Sequence, residues 1–265
     1  MPFTVSHVAA VLPFYRRLSR WGVLSAAIIG SMVPDFDFFL PIRLTREQTH
    51  GFMALFTFCL PAGLATWLLF QVLIKPAVSE VLPTNWYARL SREHGSVRLE
   101  SLKGWVLAAV AVLGGALTHI VWDGYTHEDG RGVRMLPFLG DTGPDFGVRQ
   151  WPWWLWLQHG SSVIGLLIVV GALLYWVRTT PLANGDLPRK LSAVERRIWV
   201  SVYLLIPATI AAAEFLQLLR HHARLWSANG VGLMAIVTMD AIALSLVITS
   251  AMIRRRLLGI GHLMY

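Results

Sequence analysis

Charge is what this sequence has least of. Asp, Glu, Lys and Arg together make up 14% of its 265 residues, where a soluble domain carries about 25%. The mean hydropathy of +0.55 excludes an ordinary water-soluble enzyme and predicts an integral membrane protein. Cysteine is also nearly missing. The single Cys59 allows no intramolecular disulfide, and its place in an apolar run predicts a small buried hydrophobe. Internal repeats and low-complexity stretches are absent. No signal-peptide architecture is expected, because polar and charged residues interrupt the N-terminal apolar stretch.

The charge that is present is mostly positive, with a formal net of +8. The lysines and arginines stand in short clusters between apolar runs, the footprint of membrane topology and not of a nucleic-acid groove. The expected fold class is therefore all-α, a polytopic helical membrane bundle forming one membrane domain over residues 1–265. It divides into a part with candidate site residues (1–180) and an additional two-span part (181–265).

Residues 4–15 predict a short apolar helix with Thr4 or Ser6 as its cap, closed by Arg16, Arg17 and Arg20. A second short apolar segment, 21–34, ends at Pro34-Asp35-Phe36-Asp37. Neither reaches the ~20 residues of a full span. Five spans follow, at 52–74, 104–122, from the Trp-rich 151–156 to about 178, 198–215 and 231–253. Between them, 75–103 and 178–197 read as basic loops, the second with an Asn184-Gly185-Asp186 turn. The Trp-rich stretch reads as an interfacial belt. Placing the 16–20 turn, these two loops and the C-terminal end on one side gathers 16 of the 23 Lys and Arg there. The positive-inside tendency makes that side cytoplasmic, in the inner or plasma membrane.

On this topology His7, Asp35, Asp37, His50, His119, Asp123 and His127 fall at helix ends on the other, non-cytoplasmic face. His119 and Asp123 are four residues apart, so their side chains share one helix face. Imidazole and carboxylate are ligands for zinc or manganese. The six residues His7, Asp35, Asp37, His50, His119 and Asp123 are the candidate metal ligands. Asp35 and Asp37 cannot both point inward on a regular helix, so one ligates while the other caps a helix or orients a histidine. His127 is a candidate for proton transfer to a leaving group, with ligation and a plain loop position as alternatives. Asp240, in the middle of the last span, is read as a helix-packing hydrogen-bond donor or acceptor. His159 is read as interfacial, and His221, His222 and His262 as surface residues.

The opening Met-Pro-Phe-Thr-Val-Ser-His, the stretch Gly30-Ser31-Met32-Val33-Pro34-Asp35, and Leu117-Thr118-His119 with Trp122-Asp123 resemble a bacterial membrane-protein family of unknown function. That family is similar in turn to membrane-bound predicted metal-dependent hydrolases, some under SOS control, with the pattern His, Pro-Asp-x-Asp, Thr-His and His-x-x-x-Asp. The resemblance covers residues 1 to about 180, and extends more distantly to zinc-dependent phospholipase C. It implies a divalent metal, zinc or alternatively manganese, and hydrolysis of a membrane lipid, phosphoester or amide at the interface, with no nucleic-acid partner. One departure stands out. The hydrolases carry His-Arg-Gly before Thr-His, and this chain has Thr45-Arg46-Glu47-Gln48 there. The alternative expectation is a non-enzymatic membrane protein, a transporter or an assembly or stress factor, that uses the polar cluster structurally.

Overall fold

The structure, a computed structural model, describes residues 3–39, 44–92, 101–144, 150–183, 189–220 and 228–262. It is helical, with no strand among the described residues. In chain order the α-helices are α1 (Tyr15–Arg20), α2 (Leu24–Gly30), α3 (Arg46–His50), α4 (Leu60–Leu69), α5 (Lys75–Val81), α6 (Thr84–Arg92), α7 (Leu102–Asp123), α8 (Arg131–Met135), α9 (Trp153–Thr179), α10 (Ala193–Arg220) and α11 (Ala228–His262). Five helical runs are long and apolar enough to cross a membrane: Leu55–Val81, Leu102–Asp123, Trp153–Thr179, Ala193–Leu219 and Leu233–Gly259. This is the multi-pass, all-helical architecture expected from the hydropathy pattern.

Several boundaries differ from expectation. The 75–103 stretch is not simply a loop: α5 and α6 occupy much of it. Pro76 does not end the helical run Leu55–Val81; it follows a π-helical turn, Phe70–Ile74, that leads straight into α5, the kind of local adjustment that accommodates proline within a membrane helix. The N-terminal segment 4–15 is mostly 3-10 helix, Thr4–Ala10 and Leu12–Phe14, before α1 begins. Thr4 and Ser6 do not cap it; the N-cap is Phe3, with no side-chain cap bond. The last two helices run well beyond 198–215 and 231–253 at both ends, so that Arg254, Arg255 and Arg256 lie inside α11. The Asn184-Gly185-Asp186 turn and His221-His222 fall outside the described residues.

The chain divides into two compact units. The first comprises residues 1–67 and 93–181, the second 68–92 and 182–265. In the first unit α2 lies against α7 at very close range. A Cβ on Gly30 would stand 2.3 Å from the Val112 carbonyl oxygen, and one on Gly115 would stand 2.2 Å from that of Ala27. Small residues permit such approach where lipid supplies no hydrophobic drive between helices. The connection from α1 to α2 turns at Gly22, whose φ of 74° favours glycine. Trp67, fully buried, meets Trp105 edge-on and donates to Ser25 Oγ at 3.2 Å. Cys59 is buried, with Sγ 3.5 Å from the Thr49 carbonyl oxygen.

In the second unit α5, α10 and α11 surround Ala77, Val81, Leu191, Ile253 and Leu257. Tyr203 of α10 shares a 2.9 Å hydrogen bond with Ser250 of α11. Arg189 donates to the carbonyls of Glu80 and Leu82 and lies over the Tyr87 ring. Asp240 does not show the expected packing bond: its buried Oδ1 has no hydrogen-bond partner among the described residues.

Candidate metal centre

Four elements of the first unit deliver polar side chains to one place. The 3-10 helix Thr4–Ala10 brings His7, the 3-10 helix Val33–Phe39 brings Asp35, α3 brings His50, and the last turn of α7 brings His119 and Asp123. Asp35 and His119 are fully buried and Asp123 is 1% exposed. One ligand atom each from Asp35, His50, His119 and Asp123 lies within 4.8 Å of the other three.

The spacing of these atoms is informative. His50 Nε2 is 3.5 Å from Asp35 Oδ1 and 3.4 Å from Asp123 Oδ2. His119 Nε2 is 3.4 Å and 3.7 Å from the same two oxygens. Good N–H···O bonds fall at about 2.7–3.2 Å, and none of the three Nε2 atoms of His7, His50 and His119 makes one among the described residues. Ligand bonds of about 2.0–2.2 Å at tetrahedral angles put neighbouring donors roughly 3.4 Å apart. The four separations therefore fit the edges of a coordination tetrahedron better than they fit hydrogen bonds. Buried polar atoms without partners are costly, and a cation held among the four would satisfy Asp35 Oδ1 and the Nε2 atoms of His50 and His119 together.

The outer contacts set which nitrogen faces inward. His119 Nδ1 lies 2.7 Å from the Ser31 carbonyl oxygen. A carbonyl only accepts, so Nδ1 carries the proton and Nε2 offers a lone pair to the centre. His127 follows the same rule, with Nδ1 donating to the Asp123 carbonyl at 3.0 Å. His50 Nδ1 is 2.8 Å from Thr49 Oγ1, which is itself 3.5 Å from the Arg46 carbonyl. Thr4 donates to Asp35 Oδ2 at 2.7 Å, leaving Oδ1 for the centre. Thr4, expected as a helix cap, thus orients a carboxylate instead.

The remaining candidates take different places. His7 stacks on His119 with ring centroids 3.7 Å apart, and its Nε2 is 3.5 Å from Asp123 Oδ1, beside the group of four. Asp37 does not join that group. It is two residues beyond Asp35 in a helix of about three residues per turn, so it points elsewhere. His127 stands at the rim, with Nδ1 3.6 Å from Asp123 Oδ2 and a buried Nε2 that has no partner among the described residues. His159 is apart from the cluster, against Trp151 at 4.9 Å.

Sequence reasoning passed over Arg46. Its Nη2 lies 3.4 Å from Asp123 Oδ2, and its side chain is 41% exposed. It sits four residues before His50 in α3, and that spacing could have revealed it, since it places both side chains on one face. A complete capping box formed by Thr45 and Gln48 fixes where this short helix starts.

Burial, reinforced by the neighbouring His119 ring, pushes the His7 imidazole down to about 4. Burial also lowers His127 to about 4, with Asp123 opposing and Arg46 adding to the effect. Burial works against charge on His50, yet Asp123 and Asp35 carry its pKa above the ordinary imidazole value. Burial would raise Asp35, but the His119 and His50 rings hold it below the usual carboxylate range. Asp37 is raised by burial.

Fold and site together define a helical, multi-pass membrane-type protein with a buried Asp/His/His/Asp cluster able to hold a metal ion. The chain belongs to the family described as Domain of unknown function (DUF4184), whose profile matches residues 1–251. No curated protein and no solved structure matches it. The family description carries no activity and shows no kinship with metal-dependent hydrolases.

Proposed function

We propose that this protein is a membrane-embedded, metal-dependent hydrolase acting on a phosphoester at the non-cytoplasmic face of the membrane. One observation carries the reading. The inward-facing atoms of Asp35, His50, His119 and Asp123 converge at coordination distances, and Asp35 Oδ1 and the two imidazole Nε2 atoms have no hydrogen bonds of their own among the described residues. Two imidazoles and two carboxylates are a donor set for zinc, with manganese as the alternative.

When bound, such an ion supplies a Lewis acid for the phosphoryl oxygen and acidifies water. The rest falls to the side chains. Asp35 and Asp123 balance the positive charge, while Thr4 and the Ser31 carbonyl hold Asp35 and His119 in orientation. His7 closes the cluster on one side by stacking on His119. His127, neutral near pH 7 with Nε2 unprotonated, takes the proton from the attacking water and returns it to the leaving oxygen. Arg46, half in solvent beside Asp123, offers N–H donors to an anionic oxygen. That favours a phosphoester over a neutral amide.

The test uses full-length protein purified in detergent without chelator. Elemental analysis should find a stoichiometric transition metal, and a soluble phosphoester such as p-nitrophenyl phosphate should be hydrolysed in proportion to it. A metal-free wild type, whose cluster variants lose only stability, would return the protein to the non-enzymatic reading.

A further inference from the structure

An apolar cleft of about 540 Å³ opens beside the cluster, between the 3-10 helix Thr4–Ala10, α7 and α9. Such a volume is in the range of about 300–1,000 Å³ typical of ligand sites. His7 forms part of its wall, and the same ring reaches Asp123 through Nε2 at 3.5 Å. Along α9 the lining runs from Trp156 to Ile168, about 18 Å at 1.5 Å per residue. Asp123 ends α7 and Trp153 begins α9. From Trp156 to Ile168 the lining therefore leads away from the metal-site end of these spans, toward the membrane interior.

The cleft is open sideways. Val121, Ile164 and Ile168 on its walls are 53%, 59% and 47% exposed, on helices long and apolar enough to cross the bilayer. At the cluster end the rim turns polar, where Trp122 Nε1 donates to Ser161 Oγ at 3.1 Å. A Cβ on Gly160, in the cleft wall, meets nothing within 4 Å. A trough that is apolar in depth, polar at one end and open to the side has the shape of a membrane lipid entering laterally.

We infer that the cleft is the binding site for one hydrocarbon chain of a phosphate-headed membrane lipid, held so that its phosphate lies at the His/Asp cluster. This rests on the metal-hydrolase reading for the placement of the head, but the chain site itself stands on the cleft. The substrate class is then a lipid phosphoester drawn from the bilayer, in preference to a soluble one.

The experiment is saturable photocrosslinking of full-length protein in nanodiscs, with a phosphatidic acid carrying a diazirine in its acyl chain. The expected crosslinks fall on the peptide containing Leu157 to Ile168, and excess unlabelled phosphatidic acid suppresses them while diacylglycerol does not. Gly160→Leu and Ile164→Trp, which fill the trough, should each cut this labelling about tenfold, as excluding roughly two methylenes from apolar contact would do. Gly171→Leu is the control, because a Cβ there also meets nothing within 4 Å, yet Gly171 does not line the cleft. Unsaturable labelling, or equal loss in Gly171→Leu, overturns the chain site. Equal competition by diacylglycerol overturns the placement of the phosphate head. Metal content and p-nitrophenyl phosphate turnover of the wild type are measured in parallel. A metal-free, inactive protein with saturable labelling that both cleft variants lose therefore fails the hydrolase reading and supports the chain site.

Discussion

His119 Nδ1 meets the backbone carbonyl of Ser31 at 2.7 Å, across 88 residues of sequence. The contact ties α7 to the turn that precedes Asp35, and it fixes the imidazole before any ligand arrives. Because the acceptor is backbone, no substitution at position 31 removes it directly. The orientation of His119 is thus a property of how α2 and α7 pack.

Loss of a donor should empty the site without unfolding the protein. His119→Ala and Asp123→Ala are expected to lose bound metal and hydrolysis together, measured by elemental analysis and turnover, with the protein still monodisperse in detergent. Thr4→Val removes only the 2.7 Å bond to Asp35 and should weaken metal affinity by about 10–100-fold. Asp240→Asn, in the second unit, should keep wild-type metal content. Full metal content in His119→Ala would exclude it as a ligand.

Arg46→Ala should keep its metal and lose about 10²-fold in kcat toward a phosphoester, as expected when one donor to developing negative charge is removed. Arg46→Lys should recover part of this, because an ammonium keeps the charge but not the planar fork. Unchanged kinetics in Arg46→Ala would make the guanidinium no more than a partner of Asp123.

Metal uptake should release protons, and His50 sets the sign. Asp123 and Asp35 raise its pKa above the ordinary imidazole value against the effect of burial, and a proton held on the metal-free ring must leave for Nε2 to ligate. Apparent affinity should therefore rise with pH below that pKa, approaching about tenfold per unit for one displaced proton. His7 and His127, held at about 4, are already neutral and add no dependence above that range. Calorimetric titration in buffers of different ionisation enthalpy reads the proton count, and a value near zero contradicts the assignment.

Two adjacent glycines of α7 should behave oppositely. A methyl at Gly115 would stand 2.2 Å from the Ala27 carbonyl and 2.6 Å from the Ser31 amide, whereas at Gly114 it meets nothing within 4 Å. Gly115→Ala should cost about 1–3 kcal/mol and, by displacing Ser31 from His119, weaken metal binding too. Gly114→Ala should be neutral or stabilising by up to about 1 kcal/mol. Thermal melts with and without added zinc separate the two effects.

The side on which the cluster faces is checked by labelling. In a Cys59→Ala background, Glu128→Cys should react with a membrane-impermeant maleimide added to intact cells, and Asn85→Cys should not. The reverse pattern would place the cluster in the cytoplasm.

Much of this was legible from residue order. Five apolar runs announced the spans because a bilayer demands long uncharged helices. His119 and Asp123 announced each other because a fixed spacing on one helix fixes their relation. What escaped were the outer contacts that orient the cluster. That Thr4 would turn to Asp35, and that the Ser31 carbonyl would meet His119, depend on how close α2 can approach α7. Arg46 was read as part of a missing motif, although it shares a helix face with His50. The helical course of 75–92 was hidden by Pro76 and by charge, which suit a loop, although the run Leu55–Val81 carries through that proline.

The donors of the cluster are not made together. Asp35 and His50 leave the ribosome before His119 and Asp123, which close a helix synthesised some seconds later, at about 5–20 residues per second. Until α7 is in place, the early carboxylate and imidazole wait half-assembled, with Thr4 but not the second half of the set. On the metal reading, loading the site is thereby a late event in the biogenesis of this protein. On that reading, a nascent chain arrested before α7 should be unable to take up the ion that the finished chain is proposed to hold.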